Sequence, residues 1–263
     1  MTGQGRGLLY PAAATTVHRL PPPEPVSSLV RWFWIPEWDV ARGRVSRQEV
    51  IAYPACNLVV EPTMVGLAGP STKRSHRDLV GTGWAVGALL QPAAVPHLTP
   101  DPSALRDRYQ PLDLPDLHGA VVAAMTGDGD GDLRRARAVE AFAEWLTKAL
   151  PPPDADALLA NALAELADGD PSVLQVQQAA DRLGVSTRTL QRLARRHVGL
   201  SPAAMIRRRR LQEAAERLRS DPVADLATVA ADLGYADQAH LCRDFRTMLG
   251  FTPSAYRAQL GTP

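Results

Sequence analysis

Apolar positions along this 263-residue chain follow two periods in turn, and the change between them separates a strand-forming part from a helix-forming part. Between residues 26 and 113 the apolar runs are short and bounded by proline or glycine. Those at 31–35, 49–53, 57–60 and 83–90 predict strands of a compact antiparallel sandwich or barrel. From Leu117 onward the apolar spacing becomes three and four, which predicts helices over 117–125 and 133–150, with Ala138, Phe142, Trp145, Leu146 and Ala149 on one stripe of the second. Pro151-Pro152-Pro153 stops that helix, and a third is expected over 154–167, ended by Asp168-Gly169-Asp170-Pro171. The segment 1–25 lacks periodicity and carries Pro21-Pro22-Pro23, so it reads as an extended tail.

Beyond residue 171 the helical pattern repeats itself. Gly199-Leu200-Ser201-Pro202-Ala203-Ala204 returns 51 positions later as Gly250-Phe251-Thr252-Pro253-Ser254-Ala255, Leu190-Gln191-Arg192 aligns with Leu241-Cys242-Arg243, and Leu183-Gly184-Val185 with Leu233-Gly234-Tyr235. Each copy reads as a short alanine-bearing helix, a glycine turn, a second helix and a Gly-x-(Ser/Thr)-Pro stop, which is the layout of a helix-turn-helix unit. In the first copy Val176, Ala179, Ala180 and Leu183 form the inner stripe, Gly184 reverses the chain, and Ser186 or Thr187 caps the next helix. That helix turns Leu190, Leu193 and Ala194 inward and Arg188, Gln191, Arg192 and Arg195 outward, long donors suited to base edges or phosphates. In the second copy Leu241, Phe245 and Met248 are the expected buried set and Gln238, Cys242, Arg243 and Arg246 the outward set. A connecting helix is expected over 203–221, free of glycine and proline and ended by Pro222.

Charge adds weight to this reading. The net charge is only +1, but residues 1–170 carry 15 Lys/Arg against 20 Asp/Glu while residues 171–263 carry 14 Arg against 8 Asp/Glu. A basic C-terminal part on an acidic chain suits a polyanion partner, because neutralised phosphates release their counterions. Cys56 and Cys242 lie nearly two hundred positions apart, which excludes a disulfide scaffold and a Cys-x-x-Cys site. No run of eighteen apolar residues is present, and the first twenty residues lack a basic start followed by an apolar stretch, so a cytoplasmic, nucleoid-associated protein without membrane attachment is expected. No Gly-x-Ser-x-Gly elbow, phosphate-binding glycine loop or His-Glu-x-x-His occurs; no catalytic residue, cofactor or metal is expected, and the chain reads as a non-enzyme.

Taken together, Thr189-Leu190-Gln191-Arg192-Leu193-Ala194-Arg195-Arg196, Arg210-Leu211-Gln212-Glu213-Ala214, Val229-Ala230-Ala231-Asp232-Leu233-Gly234-Tyr235 and Cys242-Arg243-Asp244-Phe245-Arg246, with the two Gly-x-(Ser/Thr)-Pro stops, closely resemble the DNA-binding domain of the AraC/XylS family of bacterial transcription regulators over residues 173–260. The resemblance implies an all-α domain of seven helices in which the second helix of each unit enters the major groove of double-stranded operator DNA. Carried over by position, base-edge contacts fall on Arg188, Gln191 and Arg192 and on Gln238 and Arg243, and the wider DNA-binding set adds Ser186, Thr187, Arg195, Arg196, His240, Cys242 and Arg246. Two residues depart from the family pattern: Ala194 stands where Phe is usual, which suggests looser packing, and Asp244 adds a negative charge expected to weaken base contact by unit two. The segments around 53–60 and 83–92 resemble the β-rich N-terminal domain of some members, implying a cupin-like or small-barrel effector-binding domain over 26–113, a helical connector or dimerisation region over 114–168 and the DNA-binding domain over 171–263. Implied partners are a small-molecule effector, a second copy of the chain and, for an activator, RNA polymerase. The alternative function is an enzyme or metal-dependent sensor in the N-terminal part with DNA binding secondary.

Several conspicuous residues take plainer readings. Arg207 to Arg210 sweep around a helix and cannot all face DNA, so they are expected mostly as solvated arginines or partners of Glu213 and Glu216. His197 and His240 are expected at the surface, and Trp32, Trp34 and Trp38 as packing rather than pocket walls. Residues 127–132 resemble the start of a calcium loop but lack its glycine and bidentate glutamate, so they read as a turn and helix cap; Cys56, His76 and His97 show no metal-ligand spacing.

Overall fold

A computed structural model describes residues 8–10, 15–50, 54–73 and 75–260. The strands expected at 31–35, 57–60 and 83–90 are present as β3 (Val30–Asp39), β5 (Asn57–Glu61) and the pair β8 (Thr82–Trp84) and β9 (Val86–Leu90). Of the run at 49–53, Glu49 and Val50 end β4 (Ser46–Val50), and residues 51–53 lie outside the described residues. The remaining strands are β1 (Leu8–Tyr10), β2 (Thr15–Leu20), β6 (Met64–Ala68), β7 (Ser75–Leu79) and β10 (Tyr109–Leu112). The main sheet runs β10-β6-β5-β9-β3-β2, with β8 also on β3, and a smaller one runs β1-β4-β7; all pairings are antiparallel. The β-rich expectation holds, and the main sheet is open, with β10 and β2 as its edges.

The tail expectation for 1–25 needs correction. Thr15–Leu20 pairs with β3 residue by residue from Thr15 opposite Trp38 to Leu20 opposite Phe33. Its β-branched residues Thr15, Thr16 and Val17 suit a pleated edge strand, and the prolines that argued against a ladder begin only at Pro21. Pro111 likewise sits in β10, an edge strand, where a missing N–H costs nothing.

Helices α1 (Pro115–Thr126) and α2 (Gly131–Ala149) cover one face of the main sheet. Leu117, Val121 and Met125 from α1 and Ala138, Phe142 and Leu146 from α2 close on Phe33, Ile35, Leu58, Val60, Leu67, Val86, Ala88 and Leu90 in a single core, with the Phe33 and Phe142 rings edge to face at 5.4 Å. On the other face, glycines make room for aromatic rings. A Cβ on Gly87 would lie 2.1 Å from the Trp34 ring and one on Gly83 2.5 Å from Trp38, so Trp34 and Trp38 fill space as expected. Trp34 Nε1 donates to Asn57 Oδ1 (2.9 Å) and Trp38 Nε1 to the Val80 carbonyl (3.3 Å), while the guanidinium groups of Arg19 and Arg31 lie 4.2 and 5.0 Å from the centre of the Trp32 ring. Asp130 caps α2 by accepting from Leu133 N (2.8 Å), which is the cap role expected for residues 127–132.

Helix α3 (Ala155–Gly169) faces both ways. Its Ala157 joins the sheet core, and Leu163 and Ala167 join a second core formed with α4 (Val176–Leu183), α5 (Thr187–His197) and the first half of α6 (Pro202–Ser220). The second half of α6, with α7 (Leu226–Asp232), α8 (Gln238–Leu249) and α9 (Pro253–Leu260), builds a third core around Phe245 and Tyr256. Six helices therefore follow residue 171 among the described residues, and α3 packs with them as a seventh. Helix α6 is about 28 Å long at 1.5 Å per residue and is the one member common to both cores.

Arg207 to Arg210 hold this arrangement together: Arg207 is exposed and Arg209 pairs with Glu213 as expected, but the solvated reading fails for Arg208 and Arg209, which are buried. Arg208 and Arg209 are each only 2% exposed. Arg208 donates to the Ser71 carbonyl (2.7 Å) in the β-rich part, Arg209 to the Val173 carbonyl (2.7 Å) at the entrance to α4 and to Glu213 (3.0 Å), Arg207 lies 3.5 Å from Asp244 on α8, and Arg210 stacks over the Tyr235 ring. Four consecutive helical positions point in four directions, and here each direction ends on a different part of the fold.

Candidate nucleic-acid interface

The repeat in sequence is a repeat in backbone geometry. Gly184 and Gly234 make the turns of the two units at φ +65° and +71°, and Gly199 and Gly250 end their second helices at +80° and +82°, a conformation in which a Cβ is penalised. Ser186 caps α5 by accepting from Thr189 N (3.1 Å), and Asp237 caps α8 by accepting from His240 N (2.6 Å). The Ser/Thr-Pro pairs end one helix and start the next: Ser201 accepts from Ala204 N and Thr252 from Ala255 N, each at 3.2 Å. Leu190, Leu193 and Ala194 are fully buried in unit one, and Leu241 and Phe245 in unit two. Ala194, expected to loosen unit one, is itself completely enclosed.

The opposite faces carry the residues expected to read DNA. Arg188, Gln191, Arg192, Arg195 and Arg196 are exposed along α5, with Ser186 exposed and Thr187 half-buried at its start. Gln238, Arg243 and Arg246 are exposed along α8, while His240 and Cys242 are half-buried. His240 lies edge-on to the Tyr235 ring at 5.2 Å. Asp244 is half-buried beside α6, 3.5 Å from Arg207 and 3.9 Å from His240, so cationic or titratable groups lie against the charge expected to weaken base contact.

Residues 179–259 match the family described as a helix-turn-helix domain, and residues 18–111 match a domain of unknown function, DUF6597. The HTH-type transcriptional activator RhaS of Escherichia fergusonii is 35% identical over 103 residues, 39% of this chain and 36% of its own length. An AraC-like transcription regulator of Streptomyces lividans is 33% identical over 125 residues, 48% of this chain and 39% of its own. The C-terminal region is an AraC-type helix-turn-helix domain. The chain spans less than two fifths of the length of either relative. ToxT from Vibrio cholerae O395 aligns over 95% of this chain and 98% of its own, with a TM-score of 0.42 and 11% identity.

The AraC-type domain is docked on the β-rich part through unit one. His197, expected at the surface, is 3% exposed at the end of α5, and its Nδ1 bonds the Pro92 carbonyl (3.2 Å); Arg106 Nε donates to the Gly199 carbonyl (2.6 Å). A cavity of about 20 Å³, room for about one water, lies at this junction between Arg31, Cys56, Leu90, Asp168, His197 and Met205. Burial pushes the Cys56 thiol up to about 12, so it is an inert core thiol. Among the described residues no group of three His, Cys, Asp or Glu side chains could hold a metal ion, and no helix is long and apolar enough to cross a membrane.

Burial holds the pKa of His197 below the ordinary histidine value, and the carbonyl of Pro92 and the nearby Asp154 and Asp156 offset this only in part. The unfolded chain then takes up a proton near pH 6.5 that the folded chain refuses, so stability contributed by neutral His197 is present above about pH 6.5 and lost as pH falls below it. His197→Gln keeps a donor for Pro92 and removes this titration. The thermal midpoint of the wild-type chain is expected to fall more steeply from pH 7 to pH 5 than that of His197→Gln; parallel slopes would show that His197 is not desolvated.

Proposed function

We propose that the protein is a sequence-specific regulator of transcription that binds double-stranded DNA through α5 and α8, each reading a major groove. The observation that supports this most is the duplicated unit in which the side opposite each buried stripe presents unpaired long donors. The side chains of Arg188, Gln191 and Arg195 on α5 and of Gln238, Arg243 and Arg246 on α8 make no hydrogen bond or ion pair with the described residues. Two such helices joined through a rigid connector of about 28 Å are suited to successive grooves about 34 Å apart on one face of B-form DNA. The likeness to RhaS and to the Streptomyces regulator adds to this reading, and the contacts of the β-rich part with unit one support a role for that part in modulating it by binding a small molecule or by dimerisation.

Selection of bound duplexes from random DNA by the full chain tests it. A defined sequence is expected to emerge, bound with an affinity that falls steeply with salt. Arg243→Ala is expected to weaken that binding by about 1–3 kcal/mol and to relax choice at one base pair, with Arg188→Ala doing the same in the other half of the site. Equal binding to all duplexes, unchanged by these substitutions, would remove the proposal.

A further inference from the structure

The exposed arginines of α5 differ in one respect. Arg188, Arg195 and Arg196 make no ion pair among the described residues, whereas Arg192 Nη1 donates to Asp156 Oδ2 at 2.8 Å. Asp156 lies 36 positions earlier, in the first turn of α3, outside both repeated units. We propose that Asp156 is a positioning residue for DNA reading: it holds the Arg192 guanidinium in the orientation that presents its remaining donors to a guanine. The proposal rests on the DNA-reading role of α5 given above.

Three features support it. First, Arg192 lies near the middle of the exposed face, because Leu190, Leu193, Ala194 and His197 define the buried side and Arg188, Arg192 and Arg195 stand opposite. Second, the bond to Asp156 uses Nη1 alone. A guanidinium has five N–H donors, so Nη2 and Nε keep the fork that grips the O6 and N7 acceptors of guanine. Third, the carboxylate is fixed in space. Helix α3 is capped by Asp154, which accepts from Ala157 N (2.8 Å), and Asn161 ties it to the β-rich part twice, donating to the Ser28 carbonyl and accepting from Ala93 N, both at 2.8 Å. Leu163 and Ala167 lock the same helix into the core of unit one beside Leu190. A carboxylate on so firm a support does not leave when DNA arrives; it narrows the rotamers of a side chain that otherwise loses more freedom than almost any other on binding. Both partners are partly solvated, so the pair adds little to folding and its effect falls on recognition. Arg192 is marked out from its neighbours by this support alone, and the sequence repeat has no counterpart to it in unit two.

The test uses the full chain and the duplex it selects from random DNA, with binding measured at that duplex and at each single-base-pair variant. Arg192→Ala identifies the base pair read by Arg192. Asp156→Ala is expected to reduce preference at that same base pair by about threefold or more while leaving the preferences lost in Arg243→Ala unchanged. In the Arg192→Ala background Asp156→Ala should cost no further preference. Asp156→Asn, which keeps an acceptor oxygen, is expected to restore part of it. A merely structural role would weaken all sites alike. Tighter binding to every duplex in Asp156→Ala would overturn the proposal in favour of an electrostatic brake, and an unchanged preference at that base pair would overturn it outright. Should the wild-type chain select no sequence at all, the DNA-reading role itself fails, a result distinguishable because Arg192→Ala would then have no preference to remove.

Discussion

Phe245→Ala is expected to destabilise unit two by about 3–5 kcal/mol, enough to unfold it while the rest of the chain stays folded. Phe245 is completely buried, and its ring meets those of Phe251 at 6.0 Å and Tyr256 at 5.9 Å, so truncation empties the centre of the third core rather than its rim. The other aromatic rings of that core are engaged elsewhere: Phe251 and Tyr256 are stacked on each other, and Tyr235 is held edge-on to His240 under Arg210. The third core shares only α6 with the second, and the first half of α6 is held separately by Met205 and Ile206. Hydrogen exchange should therefore show loss of protection in α7, α8 and α9 with protection retained in α4, α5 and the sheet. DNA binding should fall to what unit one contributes, with sequence preference surviving in one half of the selected site. Uniform loss of protection along the chain would show that the three cores fold as one cooperative unit.

How much of this was legible beforehand depends on how local the cause is. The helices of both units follow from apolar spacing, glycine turns and capping residues, all within a few positions of each other, and 176–183 is a helix to the residue. The strands β3, β5, β8 and β9 are equally local. Others are not: β6 carries Gly66, which exists to admit the Tyr109 ring, and β10 carries Pro111, which an edge tolerates, so both look like breaks until their partners are known. The same holds for β2, whose proline-rich sequel hides an alternating strand.

The site divides along the same line. The outward residues of α5 and α8 were readable because burial of Leu190 and Leu241 fixes which side faces out. Three features were not: Asp156 beside Arg192, His197 under Pro92 and the four arginines of α6. Each depends on a neighbour 25 to 137 positions away, and nothing in the local sequence records that distance. Arginine-rich runs on helices are usually solvated, which is why burial of Arg208 carries information. Desolvation pulls its pKa down to about 10, and the protein accepts that cost to bring Ser71 and the charge of Asp107 against α6. Asp107 itself sits at φ +56° and holds the loop before β7 by accepting from Thr72 N (2.7 Å).

Gly199→Val is expected to cost about 3 kcal/mol or more and to detach the β-rich part from unit one. Two effects add. The backbone there has φ +80°, where a side chain is penalised by about 1–2 kcal/mol. In addition a Cβ would lie 2.6 Å from the carbonyl carbon of Pro102, 2.7 Å from its oxygen and 2.8 Å from Ser103 N, all backbone atoms that cannot swing aside. Relief requires the 102–106 segment to move, and that breaks the bond from Arg106 Nε to the Gly199 carbonyl. Gly184→Ala supplies the comparison: its φ of +65° is similar, but a Cβ there meets open space, so only the conformational penalty of about 1 kcal/mol is expected. Denaturant titration of the two variants, with hydrogen exchange over residues 92–106, separates the terms; equal losses would show that the close approach of Pro102 is not present in solution. Because Gly199 follows α5 after Val198 alone, the turn that closes this helix is also the one against which the β-rich part rests. Any change in that part has a short mechanical route to unit one through this contact.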